Sequence, residues 1–406
     1  MKPVTQESVS DDCAAKIHIC PACSAGGMDV FFRLQDIPTN SCILLATREE
    51  ALAYPRGDLD LAFCAACGFI SNMAFDEKLT EYSGRYEETQ SFSETFNAFH
   101  RELAQRLIER YDLRGKDVLE IGCGKGEFIA LLAELGDNRG VGFDPGYREE
   151  RTSEALAERL KFVKDFYSEK YSNYQADFVC CKMTLEHIHA ASRFVANVRR
   201  AIGERFDTVV FFQIPEATRI VRDCAFEDIY YEHCSYFSPG SLARLFRRNG
   251  FDVIDLETEY AGQYLTIEAR PSRGAAGTPL PQENDLAALA RHVAEFPDKF
   301  EVKLNEWRRC VREASAKGRK IVLWGSGSKG VSFLTTLRVG GSIEYAVDIN
   351  PHRQGYFMPT TGQRIVSPAF LMEYRPDIVI IMNAVYREEI ARDLDRIALR
   401  PEMLTL

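Results

Sequence analysis

The sequence predicts an α/β protein that contains two doubly wound, Rossmann-like units and an N-terminal four-cysteine lobe. Two glycine-rich turns, Gly122–Gly126 and Gly325–Gly330, each follow an apolar stretch and precede a helical pattern. Two C-x-x-C pairs lie upstream of both turns. A chain of 406 residues that is 46% hydrophobic has room for two or three domains. The predicted domains are a four-cysteine domain over 1–76, a central Rossmann-like domain over 77–270 and a C-terminal Rossmann-like domain over 286–406.

The charge balance argues against two classes of partner. Lys and Arg number 50 against 60 for Asp and Glu, which gives a formal charge of −10 and disfavours general binding to nucleic acid or anionic membrane. Neither a signal-peptide pattern nor an apolar stretch long enough to span a bilayer is present in the sequence. We therefore expect a cytoplasmic monomer, with residues 1–16 as a loose polar tail.

The paired cysteines predict a structural zinc site. Cys20-Pro-Ala-Cys23 and Cys64-Ala-Ala-Cys67 each place two thiolates on one tight turn, and together they complete a tetrahedral shell. The alternative is that they are reduced thiols at turns. The long separation between the pairs implies an inserted hairpin, and Cys13 and Cys42 lack partners at this spacing.

The first glycine turn predicts a cofactor loop. Its spacing is G-x-G-x-G, with Glu120 two residues before the first glycine, where a diphosphate would be repelled and an ammonium group held. S-adenosylmethionine carries such an ammonium group, and Asp144 ends the next strand, where an acid binds ribose hydroxyls. The alternative is a βαβ unit whose turn serves packing alone. The candidate cofactor residues in this loop and strand are Glu120, Gly122, Cys123, Gly124 and Asp144.

These features resemble class I S-adenosylmethionine-dependent methyltransferases. The resemblance implies that fold and that cofactor, and it makes Asp165, after the third strand, a candidate adenine contact, with a solvated loop carboxylate as the equal alternative. Further strands are predicted at 162–164, 178–182, 208–213, 252–256 and 264–268. Before this unit, a polar and aromatic stretch from Glu81 to Ser93 precedes a helix over 96–110, and it forms either a lid or a helix cap.

A second cluster of reactive groups follows the fifth strand. Tyr230-Tyr-Glu-His233 supplies two phenols, a carboxylate and an imidazole, and the imidazole suits proton transfer near neutral pH. Adjacent residues do not face each other on a regular element, so Glu232 and His233 need a turn to cooperate. The alternative is that His233 caps the helix after Ser238.

The C-terminal unit resembles a dinucleotide-binding unit. A linker is expected over 269–285, followed by a helix of about 25 residues and then by a G-x-G-x-x-G turn. Lys329 places a cation at a helix N-terminus, which suits a diphosphate. The alternative is a turn that binds nothing. The candidate substrate-binding residues are Gly325, Gly327, Lys329, Gly330 and Asp348.

Taken together, the chain resembles C-methyltransferases that act on nucleotide-linked keto-deoxysugars. The cysteine pairs, the 86–93 stretch, the Tyr-Tyr-Glu-His segment and the Trp324–Gly330 turn carry this resemblance. It implies His233 as a base, Glu232 and Tyr230 as supporting groups, His187 or His189 as a second histidine, and Tyr86 as a residue that reaches in from the N-terminal side. The chain departs from the family pattern at Tyr231 and over 260–264, which affects substrate contacts.

The function predicted from this resemblance is methylation of the carbon α to the ketone of a nucleotide-diphosphate-linked 4-keto-deoxysugar, with S-adenosylmethionine as donor and structural zinc. One alternative is O- or N-methylation of a sugar or small metabolite. An NAD-dependent oxidoreductase and a nucleic-acid-modifying enzyme are further alternatives, and the acidic balance disfavours the last.

Overall fold

The computed structural model describes residues 18–151, 156–274 and 277–406. The predicted N-terminal tail and Cys13 lie outside these residues. The strands of the described part are β1 (Asp29–Pro38), β2 (Arg56–Phe63), β3 (Ile70–Asn72), β4 (Asp117–Ile121), β5 (Arg139–Phe143), β6 (Leu160–Val163), β7 (Phe178–Lys182), β8 (Val209–Pro215), β9 (Ser235–Tyr236), β10 (Phe251–Glu259), β11 (Tyr264–Pro271), β12 (Ile321–Trp324), β13 (Tyr345–Val347), β14 (Arg364–Val366), β15 (Ile378–Ile381) and β16 (Glu402–Thr405). The α-helices are α1 (Arg48–Leu52), α2 (Glu94–Tyr111), α3 (Glu127–Gly136), α4 (Ala191–Ile202), α5 (Ala217–Arg222), α6 (Pro239–Arg248), α7 (Leu286–Ala316), α8 (Ser328–Leu337), α9 (Leu371–Tyr374) and α10 (Arg387–Arg396).

The N-terminal sheet is antiparallel and has the strand order β1-β2-β3-β9. β1 and β2 lie between the two cysteine pairs and form the inserted hairpin that the sequence predicts. β9 comes from much later in the chain and pairs Tyr236 with Ile70 and Ser235 with Ser71. This pairing holds the segment that contains His233 against the N-terminal sheet.

The central sheet has the order β10-β11-β8-β7-β4-β5-β6. β4 to β8 run parallel, whereas β10 and β11 are antiparallel additions at one edge. All five residues of β7 are buried, as expected for a strand covered by helices on both faces. Helices α2 and α3 pack on one face and α4 and α6 on the other. The strand order reverses between β4 and β7, so the carboxyl ends of these strands open a crevice there.

The C-terminal sheet is fully parallel, with the order β14-β13-β12-β15-β16. Its order reverses between β12 and β15, and the second glycine turn directly follows β12. The long helix α7 joins this sheet to the N-terminal one, because Phe32 packs edge-on against Phe296 and Phe300 with ring centroids 5.0 and 4.7 Å apart. The core is therefore shared between the two ends of the chain.

The structure confirms the α/β fold class with its clustered N-terminal cysteines. Several helices and strands begin or end at other residues than predicted. α7 has 31 residues rather than about 25, because its buried stripe already begins at Leu289. β10 and β11 are longer than predicted since they pair with each other along most of their length. β6 begins two residues before the predicted strand. The domain boundaries stay predictions.

Within the described ranges, no helix is long and apolar enough to cross a membrane.

Candidate active site and zinc site

The four cysteine thiols of the N-terminal lobe converge. The sulfur of Cys20 lies 3.7 Å from that of Cys67, and the sulfur of Cys23 lies 3.6 Å from that of Cys64. All four sulfurs lie within 4.8 Å of one another. A tetrahedral zinc ion with Zn–S bonds of about 2.3 Å places its sulfurs about 3.8 Å apart. The four thiols therefore fit a structural zinc ion, as the sequence predicts.

A cavity of about 660 Å³ lies where the central and C-terminal sheets meet. Both glycine turns line it, together with the carboxyl-end residues of β7 and β15 and the stretch from Tyr82 to Phe96. Cavities of this size are typical of small-molecule sites. One cavity thus contains both turns that the sequence assigns to ligands.

The first glycine turn requires glycine for steric reasons. Gly122 has a φ of 68°, and a Cβ atom there would lie 1.9 Å from the Thr184 hydroxyl. At Gly124, where φ is 54°, a Cβ would lie 2.7 Å from a Glu88 carboxylate oxygen. The backbone at these two positions therefore carries no side chain beside the cavity. Cys123 also lines the cavity. These features fit close approach of a ligand.

Two acids flank this turn. Asp144 accepts hydrogen bonds from the amides of Gly124 at 2.9 Å and Gly146 at 2.7 Å, and it lines the cavity. Glu120 is buried and accepts from the Ile129 amide at 3.0 Å. Burial raises the pKa of Glu120 to about 8. A cationic group bound beside Glu120 would stabilise its ionised form, so the pair of acids fits the ammonium and ribose groups of S-adenosylmethionine.

The second glycine turn is also tightly packed. A Cβ at Gly330 would lie 2.3 Å from the Gly325 carbonyl oxygen. Asp348 accepts from the Ser326 amide at 3.1 Å and from the Ser326 hydroxyl. All five predicted substrate-binding residues line the cavity. Lys329, however, is already ion-paired with Asp228.

The histidine predicted as a base also lines the cavity. His233 is 5% exposed, and its ring centroid lies 4.0 Å from that of Tyr230 and 4.7 Å from that of His187. Its Nδ1 atom is buried and has no hydrogen-bond partner among the described residues. Burial, with His187 and Lys329 nearby, holds the pKa of His233 well below its usual value. The imidazole is therefore neutral at pH 7 and retains a lone pair.

Two of the predicted catalytic residues do not face this histidine. The Glu232 carboxylate accepts from the backbone amide of Ser41 at 2.8 Å and from the Ser41 hydroxyl, and it does not line the cavity. His189 stacks against Phe75 with ring centroids 6.1 Å apart, outside the cavity. Of the two candidate second histidines, His187 is the one beside His233. Tyr86, which the family resemblance implies as a residue that reaches in from the N-terminal side, lines the cavity.

Comparison with known families and proteins matches both Rossmann-like parts of the chain. Residues 94–256 match the family profile of a methyltransferase domain, and residues 275–401 match that of a C-methyltransferase C-terminal domain. The C-methyltransferase NovU of Streptomyces niveus is 26% identical over 363 residues, covering 86% of this chain and 85% of that protein. The chain is an S-adenosylmethionine-dependent methyltransferase that is similar to C-methyltransferases.

Solved methyltransferase structures resemble part of this chain. They include the 1,6-didemethyltoxoflavin-N1-methyltransferase of Burkholderia thailandensis with bound S-adenosylhomocysteine, at 22% identity and a TM-score of 0.34 over 43% of this chain and 78% of that one. The magnesium protoporphyrin IX methyltransferase of Synechocystis PCC 6803, also with bound S-adenosylhomocysteine, gives 16% identity and a TM-score of 0.35 over 44% and 84%. Each likeness covers less than half of this methyltransferase.

Sequence reasoning missed an ion pair between a buried lysine and a half-buried glutamate, which closes one side of the methyltransferase cavity. The Lys125 ammonium, from the first glycine turn, donates to the Tyr86 carbonyl at 2.8 Å and to the Glu88 carboxylate at 3.1 Å. These contacts fix the polar and aromatic stretch over the glycine turn, while Ser93 at its end caps α2 by accepting from the Phe96 amide. The stretch is thus both a cover and a helix cap. The position of Lys125 within a glycine turn is the sequence feature that could have indicated this ion pair.

A second missed group is Lys182, at the carboxyl end of β7. Its ammonium is buried, lies 2.9 Å from the His100 Nε2 atom and donates to the Gln213 amide oxygen at 2.8 Å. Burial lowers its pKa to about 8, and Glu120 opposes this shift. A lysine at the end of an otherwise apolar strand signals such a site. Asp165, at the rim of the cavity, instead bonds to Lys170 and Tyr171.

Proposed function

We propose that this methyltransferase transfers the methyl group of S-adenosylmethionine to the carbon α to the ketone of a nucleotide-diphosphate-linked 4-keto-deoxysugar. The shared cavity supports this proposal, because it joins the glycine turn that suits the cofactor to the glycine turn that suits a diphosphate. In this arrangement the cofactor and the sugar enter from the two sheets and meet at the histidines between them.

The observation that carries the proposal is the buried, neutral His233 with an unused ring nitrogen on the wall of this cavity. An acidic carbon beside a ketone needs a base before it becomes a nucleophile, whereas a hydroxyl or amine needs less help. Since the pKa of His233 is held low, the imidazole is a base that stays unprotonated until substrate arrives.

The reaction then proceeds in two steps. His233 takes the proton from the α carbon, and the electron pair of that C–H bond forms an enolate. The enolate carbon attacks the methyl group, and the electron pair of the broken S–CH₃ bond stays on sulfur, which gives S-adenosylhomocysteine. The imidazolium returns its proton to solvent. Holding carbon and methyl about 3 Å apart lowers the barrier, because the entropy cost of bringing the two reactants together is met on binding.

The cofactor assignment follows from the acids around the first glycine turn. Glu120 would hold the ammonium group of the methionine end, Asp144 the ribose hydroxyls, and Asp165 at the rim the adenine. The bound cofactor supplies an electrophilic methyl group on a sulfonium. The four cysteines would hold zinc in the N-terminal lobe, where it stabilises the fold and takes no part in the chemistry.

The C-methyltransferase C-terminal domain match favours carbon over oxygen or nitrogen as the methyl acceptor. That match also includes the G-x-G-x-x-G turn. The NAD-dependent alternative was based on this turn, so no other segment supports it.

Deuterium exchange tests the role of His233 without turnover. The protein is incubated in deuterium oxide with S-adenosylhomocysteine and a thymidine-diphosphate-linked 4-keto-deoxysugar, and deuterium at the α carbon is measured by NMR. We expect exchange with the wild type, and exchange and methyl transfer at least about 100-fold slower with His233→Ala. The matched control is His292→Ala, on α7 and outside the cavity. Absence of exchange in the wild type would contradict carbon methylation of this sugar class, and persistent exchange in His233→Ala would move the role to another residue.

A further inference from the structure

Glu186 is a buried carboxyl group that the steps above do not use. It lies in the short turn Leu185–His187 that follows β7, it lines the cavity, and it is 1% exposed. Neither of its carboxyl oxygens has a hydrogen-bond partner in the described part of the chain. A buried carboxylate without a partner costs several kcal/mol, whereas a protonated carboxyl that awaits a ligand costs much less. The unused oxygens therefore indicate a proton donor.

Glu186 converges with the two histidines on a single point. One carboxyl oxygen of Glu186 and one ring nitrogen each of His187 and His233 all lie within 4.8 Å of one another. An oxygen atom at the centre of this triangle would lie no more than about 2.8 Å from each, which is hydrogen-bond distance. The three groups thus surround a position suited to one oxygen of a ligand.

Contacts to backbone carbonyl oxygens fix this convergence. The Cys234 amide donates to the Glu186 carbonyl at 2.9 Å, and the Ser235 hydroxyl donates to the Ile188 carbonyl at 2.8 Å. The His187 Nδ1 atom lies 3.1 Å from the Glu232 carbonyl oxygen and 2.9 Å from the Tyr82 hydroxyl, and these contacts fix the orientation of the ring. The turn after β7 and the His233 segment therefore form one rigid unit.

We propose that Glu186 is a second catalytic residue, a carboxylic acid that donates its proton to the ketone oxygen of the substrate while His233 removes the α proton. This inference rests on the proposed function. It assigns the central position to the ketone oxygen and restricts the substrate to a carbonyl compound that enolises.

Protons and electrons balance in this scheme. The α C–H bond breaks, its proton goes to His233 and its electron pair forms the C=C bond. The ketone oxygen takes the Glu186 proton, which gives a neutral enol in place of an enolate. When the enol carbon takes the methyl group, the oxygen reforms the C=O bond and its proton returns to Glu186. The imidazolium loses its proton to solvent, so the net products are methylated ketone, S-adenosylhomocysteine and one proton.

The charge state of Glu186 fits this role. Burial raises its pKa from the usual 4.5 to about 8, so the acid form predominates at neutral pH and is lost as pH rises through about 8. No lysine or arginine of the described chain bonds to it. The titratable groups around it, on the elements packed against the turn, are Tyr82, Cys181, His187, Tyr230, His233, Cys234 and Tyr264. The pKa values of Cys181, Cys234 and the three tyrosines are raised, chiefly by burial, and those of both histidines are lowered.

Glu186→Gln removes the transferable proton and keeps the shape. We expect deuterium exchange at the α carbon to slow at least 10-fold while S-adenosylhomocysteine affinity is unchanged. We expect kcat of the wild type to fall above pH 8 and this fall to be absent in the variant. The control is Glu216→Gln, a buried carboxyl that caps α5, has a raised pKa and lies outside the cavity. Exchange at the wild-type rate in Glu186→Gln, with the alkaline fall retained, would overturn the role of Glu186.

The exchange experiment and a metal analysis together keep the outcomes separate. Wild-type protein that shows no exchange defeats the proposed function, whereas wild-type exchange that Glu186→Gln leaves unaltered defeats only the role of Glu186. Metal analysis is the second measurement, because Glu186, His187 and His233 lie close enough together that they could hold a metal ion. We expect one zinc per chain in both proteins. A second divalent metal that is lost in Glu186→Gln would overturn the acid role in favour of a metal centre.

Discussion

Lys329, in the first turn of α8, forms an ion pair with Asp228 of the central part of the chain. Arg219 of α5 pairs with the same carboxylate. Although burial opposes ionisation of Asp228, these two cations hold its pKa below the usual range. The cation that the sequence assigns to a diphosphate therefore also links the C-terminal sheet to the central one, at the wall of the cavity.

We predict that Lys329→Ala weakens binding of a nucleoside-diphosphate sugar about 10-fold and leaves S-adenosylhomocysteine affinity unchanged, because one charge-assisted contact to phosphate is lost. Arg219 still neutralises Asp228, so the fold should tolerate the change. Calorimetry with each ligand checks this, with Lys299→Ala, which bonds to Glu295 on α7, as the control. Loss of S-adenosylhomocysteine binding alone would instead place a second cofactor site in the C-terminal sheet.

Local patterns predict the parts of this protein that depend on local structure. The glycine turns, Glu120 and Asp144 are each set by a strand, a turn and a helix that are contiguous in the sequence, so their placement at the carboxyl edge of a sheet follows from the doubly wound topology. The cysteine pairs are equally local, since each C-x-x-C turn brings its own two thiols together.

The partner of His233 depends on long-range pairing and was not predictable. Glu232 is adjacent in sequence, yet its side chain extends away to Ser41 of the N-terminal lobe. Glu186 is 47 residues away and reaches His233 because the backbone after β7 bonds to the backbone before β9. Sequence adjacency alone therefore does not identify which carboxyl group lies beside His233 in the fold.

We predict that the purified protein contains one zinc per chain and that Cys64→Ser lowers the melting temperature by several degrees. Loss of one thiolate opens the tetrahedral shell, and β3, three residues beyond Cys67, carries β9. S-adenosylhomocysteine affinity should change much less, since the cysteines lie outside the cavity. Thermal melts with metal analysis check this, with the half-buried Cys310→Ser as the control. A zinc-free wild type would contradict the prediction.

We predict that Asp144→Ala weakens S-adenosylhomocysteine binding by about 1–3 kcal/mol, the range for loss of a hydrogen bond to a charged group. The variant also frees the amides of Gly124 and Gly146, so part of the loss reflects a less ordered glycine turn. Asp223→Ala, on the surface after α5, is the matched control. Unchanged affinity by calorimetry would mean that the ribose lies elsewhere.

The last prediction concerns Tyr82, which the sequence places in the polar and aromatic stretch but does not single out. Its hydroxyl lies 2.9 Å from the His187 Nδ1 atom, which also contacts the Glu232 carbonyl. Tyr82 therefore helps to orient the imidazole beside His233. Tyr82→Phe keeps the ring packing against Tyr86 and removes one hydrogen bond worth about 1 kcal/mol, so kcat should fall about fivefold with S-adenosylhomocysteine affinity unchanged.

Steady-state kinetics separate the two tyrosines when Tyr82→Phe and Tyr86→Phe are each measured in the wild type and in a His187→Ala background. If Tyr82 acts through His187, Tyr82→Phe should have no further effect in a His187→Ala background, because the imidazole that it orients is gone. Tyr86, which has its ring on the cavity wall, should retain its own effect in that background. Equal losses for Tyr82→Phe with and without His187 would show that Tyr82 contacts the substrate directly.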